Sequence, residues 1–233
     1  MIYHEVVQHS PEWFKMRLGL ATASCFGKIV TPAKGEPSKQ MDDYANDLIG
    51  ELVTGNNSET FTSYWMERGQ LFEADAAAAY EFITGFELDR GGFLTDDDMT
   101  VGASPDRRVI KLGSVIGGVE IKCPKEGTQV ANLLRGDDID PQYKPQVQGQ
   151  ILIGGFEFVD WFSYHPDFPP ALIRTYRDDA YCDKLASALE QFESLLQEKI
   201  RILEGRGVRI PPRPIISLSQ RSDDLGENIL YAG

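Results

Sequence analysis

In the segment Val119-Glu120-Ile121-Lys122-Cys123 a carboxylate and an ammonium alternate with apolar side chains. Alternate residues of a strand share a face, so Val119, Ile121 and Cys123 point one way while Gly118, Glu120 and Lys122 point the other. The first face feeds a core. The second sets an acid and an amine roughly 7 Å apart along the strand, at the border of a cleft. Another acid stands in Ser104-Pro105-Asp106. A hairpin turning about Gly113 places Asp106 across from Glu120, on the same face with Cβ atoms ~5 Å apart. Carboxylates that close repel each other, and the usual remedies are protonation of one or insertion of a divalent cation. Oxygen ligands with open positions suit magnesium or manganese, which bind phosphate oxygens and activate a water. Lys122 beside them orients or helps deprotonate that water and steadies charge building on the phosphate. Taken singly, Glu-x-Lys reads as a solvated ion pair and Ser-Pro-Asp as a turn. Their combination across a hairpin-length spacer points to metal-dependent phosphodiester chemistry.

The elements that would carry these groups are legible in outline. Ser10-Pro11 reads as a cap and first helical residue for "PEWFKMRL", stopped by Gly19, and Thr22 as a cap for a second helix, "ASCFGKIV". Apolar residues at helical spacing predict a helix over 38–54, with Gly55 just past its end, and another over 63–84, stopped by Gly85. From Phe86 to Cys123 short extended runs broken by Gly, Pro and Asp predict a β-meander. "VANLLRG" and "DPQYKPQVQGQILI" read as helices, "EFVDWFSYH" and "PALIRTYR" as strands, and 178–204 as a long amphipathic helix. The order α-β-α-β-α predicts an α/β or α+β sandwich, and the fold class taken forward is α/β with a mixed sheet flanked by helices. Residues 1–204 read as one domain and 205–233 as a tail of unassigned role.

At 233 residues and 42% hydrophobic, the chain fills one sizeable core. Cys25, Cys123 and Cys182 are odd in number and lack paired spacing, which argues against a disulfide framework and against a four-thiolate zinc or iron–sulfur site. His4, His9 and His165 show no ligand spacing, and Trp13, Trp65 and Trp161 read as core anchors. No export signal or membrane span is visible, so the expected place is a reducing cytoplasm. A net charge of −13 opposes binding of a polyanion, although a local basic patch with bound cations can invert the potential of one groove.

"SPD…GGVEIKCP" resembles the signature of the PD-(D/E)xK nuclease superfamily, whose core is restriction-endonuclease-like. More narrowly, the chain resembles the phage lambda exonuclease and YqaJ-type viral recombinase family. Four stretches in family order carry this over residues 12–153: "EWFKMRLGLATAS", "ERGQLFEADA", the signature, and "YKPQVQGQILI". The resemblance implies that Asp106, Glu120 and the Ile121 carbonyl bind metal and that Lys122 is the signature lysine. It further implies that Glu73 is an additional acid near the metal and that Gln146 stands near the attacking water. Pro145, directly before Gln146, departs from the family pattern. By the same resemblance Arg17 contacts a DNA 5′-phosphate, Ser24 and Ser104 lie near it, Lys34 is a further phosphate contact, and Met66 is an apolar residue on the strand-separating side. A guanidinium suits a terminal phosphate because its fork is planar and its charge permanent.

The activity so implied is hydrolysis of linear double-stranded DNA in the 5′ to 3′ direction with magnesium, for which manganese substitutes, as two ions. The product is a 3′-ended strand for a phage single-strand annealing protein, and the assembly is a homotrimeric ring in a bacterial cytoplasm, encoded by a phage or prophage. Two alternatives stay open from the sequence: a structure-specific or repair endonuclease of the same superfamily, and a non-catalytic acidic DNA mimic or binding protein, which the net charge favours.

Overall fold

The structure, a computed structural model, describes residues 1–57 and 64–214, with 64–70 described by backbone alone. Ser10 caps α1 (Pro11–Arg17) by accepting the Trp13 N–H at 3.2 Å, after β1 (Ile2–His4). A short strand, β2 (Ala21–Thr22), leads into a 3₁₀ helix over Ala23–Lys28. Thr22 stands at its cap position but makes no cap bond; its hydroxyl is used by Arg17 and Ser24 instead. Helix α2 (Met41–Thr54) ends at Gly55, whose φ of 69° is the left-handed turn that glycine allows, and α3 (Tyr64–Thr84) ends in the same way at Gly85.

The expected meander is divided between two sheets. β3 (Glu87–Arg90), β6 (Arg107–Lys111) and β7 (Ser114–Lys122) enter a five-stranded sheet of order β3-β6-β7-β8-β9, completed by β8 (Phe158–Ser163) and β9 (Ala171–Tyr176). β4 (Phe93–Thr95) and β5 (Val101–Ala103) leave it to pair with β1 and β2 in a four-stranded sheet, β1-β4-β5-β2. Both short strands are buried throughout, so they need cover that an edge of the larger sheet would not give. The remaining helices are α4 (Glu126–Arg135), α5 (Lys144–Gly154) and α6 (Asp179–Gly205), the last capped by Asp178. Pro145 sits in the first turn of α5, where its missing N–H costs nothing. No described helix is long and apolar enough to cross a membrane.

The five-stranded sheet is packed on both faces. Val119, Ile121, Phe158 and Phe162 meet Ala76 and Tyr80 of α3 on one side. Val159 joins Val147 and Ile151 of α5 and Leu185, Phe192 and Leu196 of α6 on the other. Each fully buried side chain of this size contributes about 1.5–3 kcal/mol. Asp160, wholly buried on β8, is held by two bonds from Arg174 at 2.9 and 2.7 Å and by the Tyr80 hydroxyl at 2.6 Å. Burial pushes the Tyr80 pKa up, so the phenol remains a donor.

The hairpin β6–β7 turns on Leu112 and Gly113, both at positive φ, which gives the tight two-residue connection suited to strand twist. Lys111 faces Ser114, and an extra residue in β7, Ile116, shifts the register so that Arg107 faces Val119. Behind this hairpin the chain crosses itself: a Cβ on Gly91 would lie 1.6 Å from the Pro105 carbonyl oxygen. Gly91→Ala must therefore move the residue that precedes Asp106. It is expected to lower unfolding free energy by about 1–3 kcal/mol in denaturant titrations, the usual cost of overpacking, and an unchanged midpoint would show that the crossing tolerates side chains.

Candidate active site

Asp106 lies one residue before β6, and its Oδ2 accepts the Ile121 N–H at 2.6 Å. That bond fixes the acid against β7 on the face that bears Glu120. Glu120 is 3% exposed, while the Lys122 side chain reaches the edge at 27%. Lys122 Nζ donates to Glu120 Oε1 at 2.6 Å, and Gln146 Nε2 from α5 donates to the same oxygen at 2.7 Å. Gln150, one turn further along α5, donates to Oε2 at 2.6 Å. Three donors thus compensate Glu120, whereas the one contact described for the Asp106 carboxylate is the Ile121 N–H.

The electrostatics follow from that asymmetry. Burial and the neighbouring Glu120 charge push the Asp106 pKa well above the usual carboxylate range, against the opposing pull of Lys122. Burial alone would lower the Lys122 pKa, but the Glu120 and Asp106 carboxylates overcome it and raise the value. Glu73 adds to the negative field at Asp106 but is turned toward Arg107, whose Nη1 lies 2.5 Å from its Oε1 and 2.7 Å from the Asp106 carbonyl. A cleft of about 420 Å³ opens here, lined by Gln8, His9, Glu73, Arg90, Asp106 and Arg107 among others.

Among the described residues no group of three or more His, Cys, Asp and Glu side chains is placed to hold a metal ion. The donor set is smaller: the Asp106 and Glu120 carboxylates with the Ile121 main chain between them. These residues fit a hard divalent cation, because the donors are oxygens, Lys122 offsets their repulsion only in part, and Gln150 Oε1, on the amide that binds Glu120, is a buried acceptor without a partner among the described residues.

A second group of polar residues is tied to the first through Trp13. Arg17 is 5% exposed; its guanidinium lies 4.2 Å from the Trp13 ring centre, and its Nη2 donates to Thr22 Oγ1 at 3.3 Å and Ser24 Oγ at 3.4 Å. The Trp13 indole N–H donates to Ser104 Oγ at 2.9 Å, two residues before Asp106. Ser104 Oγ also accepts from Gln8 at 3.0 Å and donates to the Gly92 carbonyl at 2.7 Å, so the hydroxyl is fully used within the protein. Arg17 and Thr22 line a crevice with Lys28, a cation that sequence reasoning did not single out.

The structure therefore brings Asp106, Glu120, Ile121, Lys122, Gln146 and Glu73 into one site, and Arg17, Ser24 and Ser104 into its neighbour. Lys34 is placed apart, in another groove of about 280 Å³ with Lys144, Tyr181 and Lys184. Met66 has its side chain outside the described residues. Gln150 and Trp13 were missed as site residues. The Gln146-x-x-x-Gln150 spacing on one helix face was the available signal for the first; nothing in the sequence separates a tryptophan that carries an arginine from one that only fills a core.

The fold is one shared with solved exonucleases. An alkaline exonuclease from Laribacter hongkongensis, LHK-Exo, is 28% identical, with a TM-score of 0.74 over 85% of this chain and 98% of that one. The same enzyme in complex with dAMP gives a TM-score of 0.75 at the same identity and coverage. A phage-related exonuclease from Haemophilus somnus 129PT, 12% identical, shares the fold with a TM-score of 0.64 over 79% of this chain and 96% of that one. No curated protein matches significantly. Residues 12–157 match the model of the YqaJ-like viral recombinase domain, and the chain belongs to that family.

Because Asp106 is half-buried beside a like charge, Asp106→Asn keeps an acceptor for the Ile121 N–H and removes the repulsion. Its thermal midpoint is expected to equal or exceed that of the parent, by roughly 2–4 °C for each kcal/mol gained in a chain of this size. A clear fall in calorimetry would show that the pair is not repulsive.

Proposed function

We propose that this chain is a magnesium-dependent exonuclease that degrades linear double-stranded DNA from its 5′ end, within a domain formed by residues 1–204. The observation that supports it is the union of the two polar groups: the Asp106–Glu120–Lys122–Gln146 site and the Arg17 crevice are linked through Trp13 and Ser104. In this reading the Arg17 guanidinium, buried and permanently charged, receives the terminal phosphate while the acids act on the adjoining phosphodiester. That arrangement favours attack at a terminus over attack within a duplex.

A divalent ion, when bound, supplies charge neutralisation and an acidified water for in-line attack. Asp106, Glu120 and the Ile121 carbonyl would hold it, with manganese acceptable in place of magnesium. Lys122 presents its ammonium to the water and to charge developing on the phosphate. Gln146, which shares Glu120 Oε1 with Lys122, keeps that oxygen from swinging toward the amine alone. Glu73, paired with Arg107, tunes the field at the Asp106 loop. Arg17 with Ser24 receives the 5′-phosphate, Lys34 is a peripheral phosphate contact, and Met66 would serve as the apolar residue of strand separation. In this reading the product strand passes to a phage annealing protein, in a cytoplasm, from a homotrimeric ring. The ring would turn basic residues inward and the acidic surplus of the −13 chain outward. An acidic channel would remove that part of the reading.

End-labelled linear duplex and closed circular DNA, incubated with magnesium, test the activity. Mononucleotides from linear duplex with intact circles are expected; nicked circles would make it an endonuclease. Lys122→Ala is expected to lose at least ~100-fold in turnover, as for removal of a transition-state electrostatic group. Arg17→Ala is expected to slow digestion of 5′-phosphorylated ends while leaving 5′-hydroxyl ends near their basal rate. Equal loss on both ends would refute the phosphate assignment.

A further inference from the structure

The Glu120 carboxylate is held from one side by a residue to which no role has been given. Gln150 Nε2 donates to Oε2 at 2.6 Å, while Lys122 and Gln146 occupy Oε1. With both oxygens engaged, the carboxylate cannot rotate about its terminal bond. Gln150 is 1% exposed. Charge settles which way its amide faces: an ionised carboxylate only accepts, so the nitrogen faces Glu120 and the oxygen faces away. That oxygen has no hydrogen-bond partner among the described residues. Buried acceptors are nearly always satisfied, and an open one on the amide that holds Glu120 suits the donors that a hydrated cation carries with it.

Gln148, two residues earlier on the same helix and equally buried, shows the contrast. Its Nε2 donates to the Tyr176 carbonyl and its Oε1 accepts the Asp178 N–H, both at 2.9 Å, so both ends of that amide serve the fold.

We propose that Gln150 is a positioning residue that sets divalent-cation affinity at this site, its Nε2 locking the Glu120 carboxylate and its Oε1 receiving a hydrogen bond from water on the ion. The inference rests on the site's being a cation centre, as the proposed function has it. Residues that hold metal ligands in place typically contribute 10–100-fold in affinity.

The test is a manganese titration of the full chain without DNA, followed by the electron paramagnetic resonance of the free ion. Wild type, Gln150→Leu and Gln148→Leu are compared. Gln150→Leu is expected to weaken manganese binding ~10–100-fold and to raise by a similar factor the metal concentration giving half-maximal cleavage. Gln148→Leu is expected to lower thermal stability with manganese affinity unchanged. If Gln150→Leu does not fold, Gln150→Met, of similar length and also without the donor, carries the same expectation. Wild-type affinity in the Gln150 variant, or an equal fall in both variants, overturns the assignment while leaving the nuclease reading intact. A wild-type chain that binds no manganese yet cleaves DNA overturns the cation centre itself, and the role of Gln150 with it.

Discussion

Two carboxylates are forced together by a hairpin, and almost everything else in the site answers to that constraint. The register of β6 on β7 ends at Arg107 opposite Val119, which leaves Asp106 against the Ile121 N–H and close to Glu120. Glu120 cannot cross to the opposite face of β7, which is committed to Val119, Ile121 and the helix α3 beneath them, and Asp106 is tied to the same strand by the Ile121 N–H. An ionised carboxylate as buried as Glu120 is costly unless it is bonded, and the fold surrounds it with donors. Those donors come from α5, and α5 must therefore press closely on its surroundings: a Cβ on Gly149, between the two glutamines, would fall 2.5 Å from the Phe26 ring. The core under α5 and the polar face above it are thus one problem with one solution. Asp106 receives less, and that residual imbalance is the physical basis for assigning a cation to this place.

The same coupling of packing and polarity holds around Trp13. A buried indole N–H needs an acceptor, and Trp13 finds it in Ser104 while its ring packs in the core and carries Arg17 on one face. Ser104 is in turn gripped by Gln8 and Gly92, and Gln8 also donates to the Pro105 carbonyl at 2.8 Å. The Asp106 loop is therefore held from the N-terminal segment as well as from β7. Arg17 and the Asp106 loop are joined through the Trp13 ring and the Trp13–Ser104 bond, and the proposed end recognition would require such a fixed spacing between an anion-binding and a reactive group.

How much of this was legible in the sequence depended on whether the decisive contacts were local. Strand alternation in Val119–Lys122, the Gly113 turn and the glycine stops at Gly55 and Gly85 are short-range effects, and they hold in the structure. The hairpin register agrees at Arg107–Val119 only because the bulge at Ile116 compensates for a tip that is one residue tighter than a symmetrical turn about Gly113. Non-local pairings were not legible. β1 and β2, three and two residues long, carry too few side chains for a periodic signal and exist because β4 and β5 lie beside them. A run of extended segments likewise gives no hint that its middle two strands will join another sheet. Loop residues are hardest to place from sequence, and Lys34 beside Lys184, away from Arg17, is the case in point.

Net charge is a poor guide to such a site because it sums over groups that never act together. Most of the acidic surplus has no bearing on the field at Asp106, where the near groups are Glu120, Lys122 and Glu73. Glu73 is itself drawn to Arg107, which also donates to the Asp106 carbonyl, so one guanidinium both offsets an acid and braces the loop that carries another. Arg90 and His9 share the same cleft. Screening over about 8–10 Å at physiological salt mutes exposed charges beyond this shell, while the partly buried groups inside it are screened far less. A polyanion end that reaches the cleft therefore meets the local arrangement of arginines, the lysine and the paired acids, and it is their geometry rather than the sum over the chain that decides whether a phosphate is admitted.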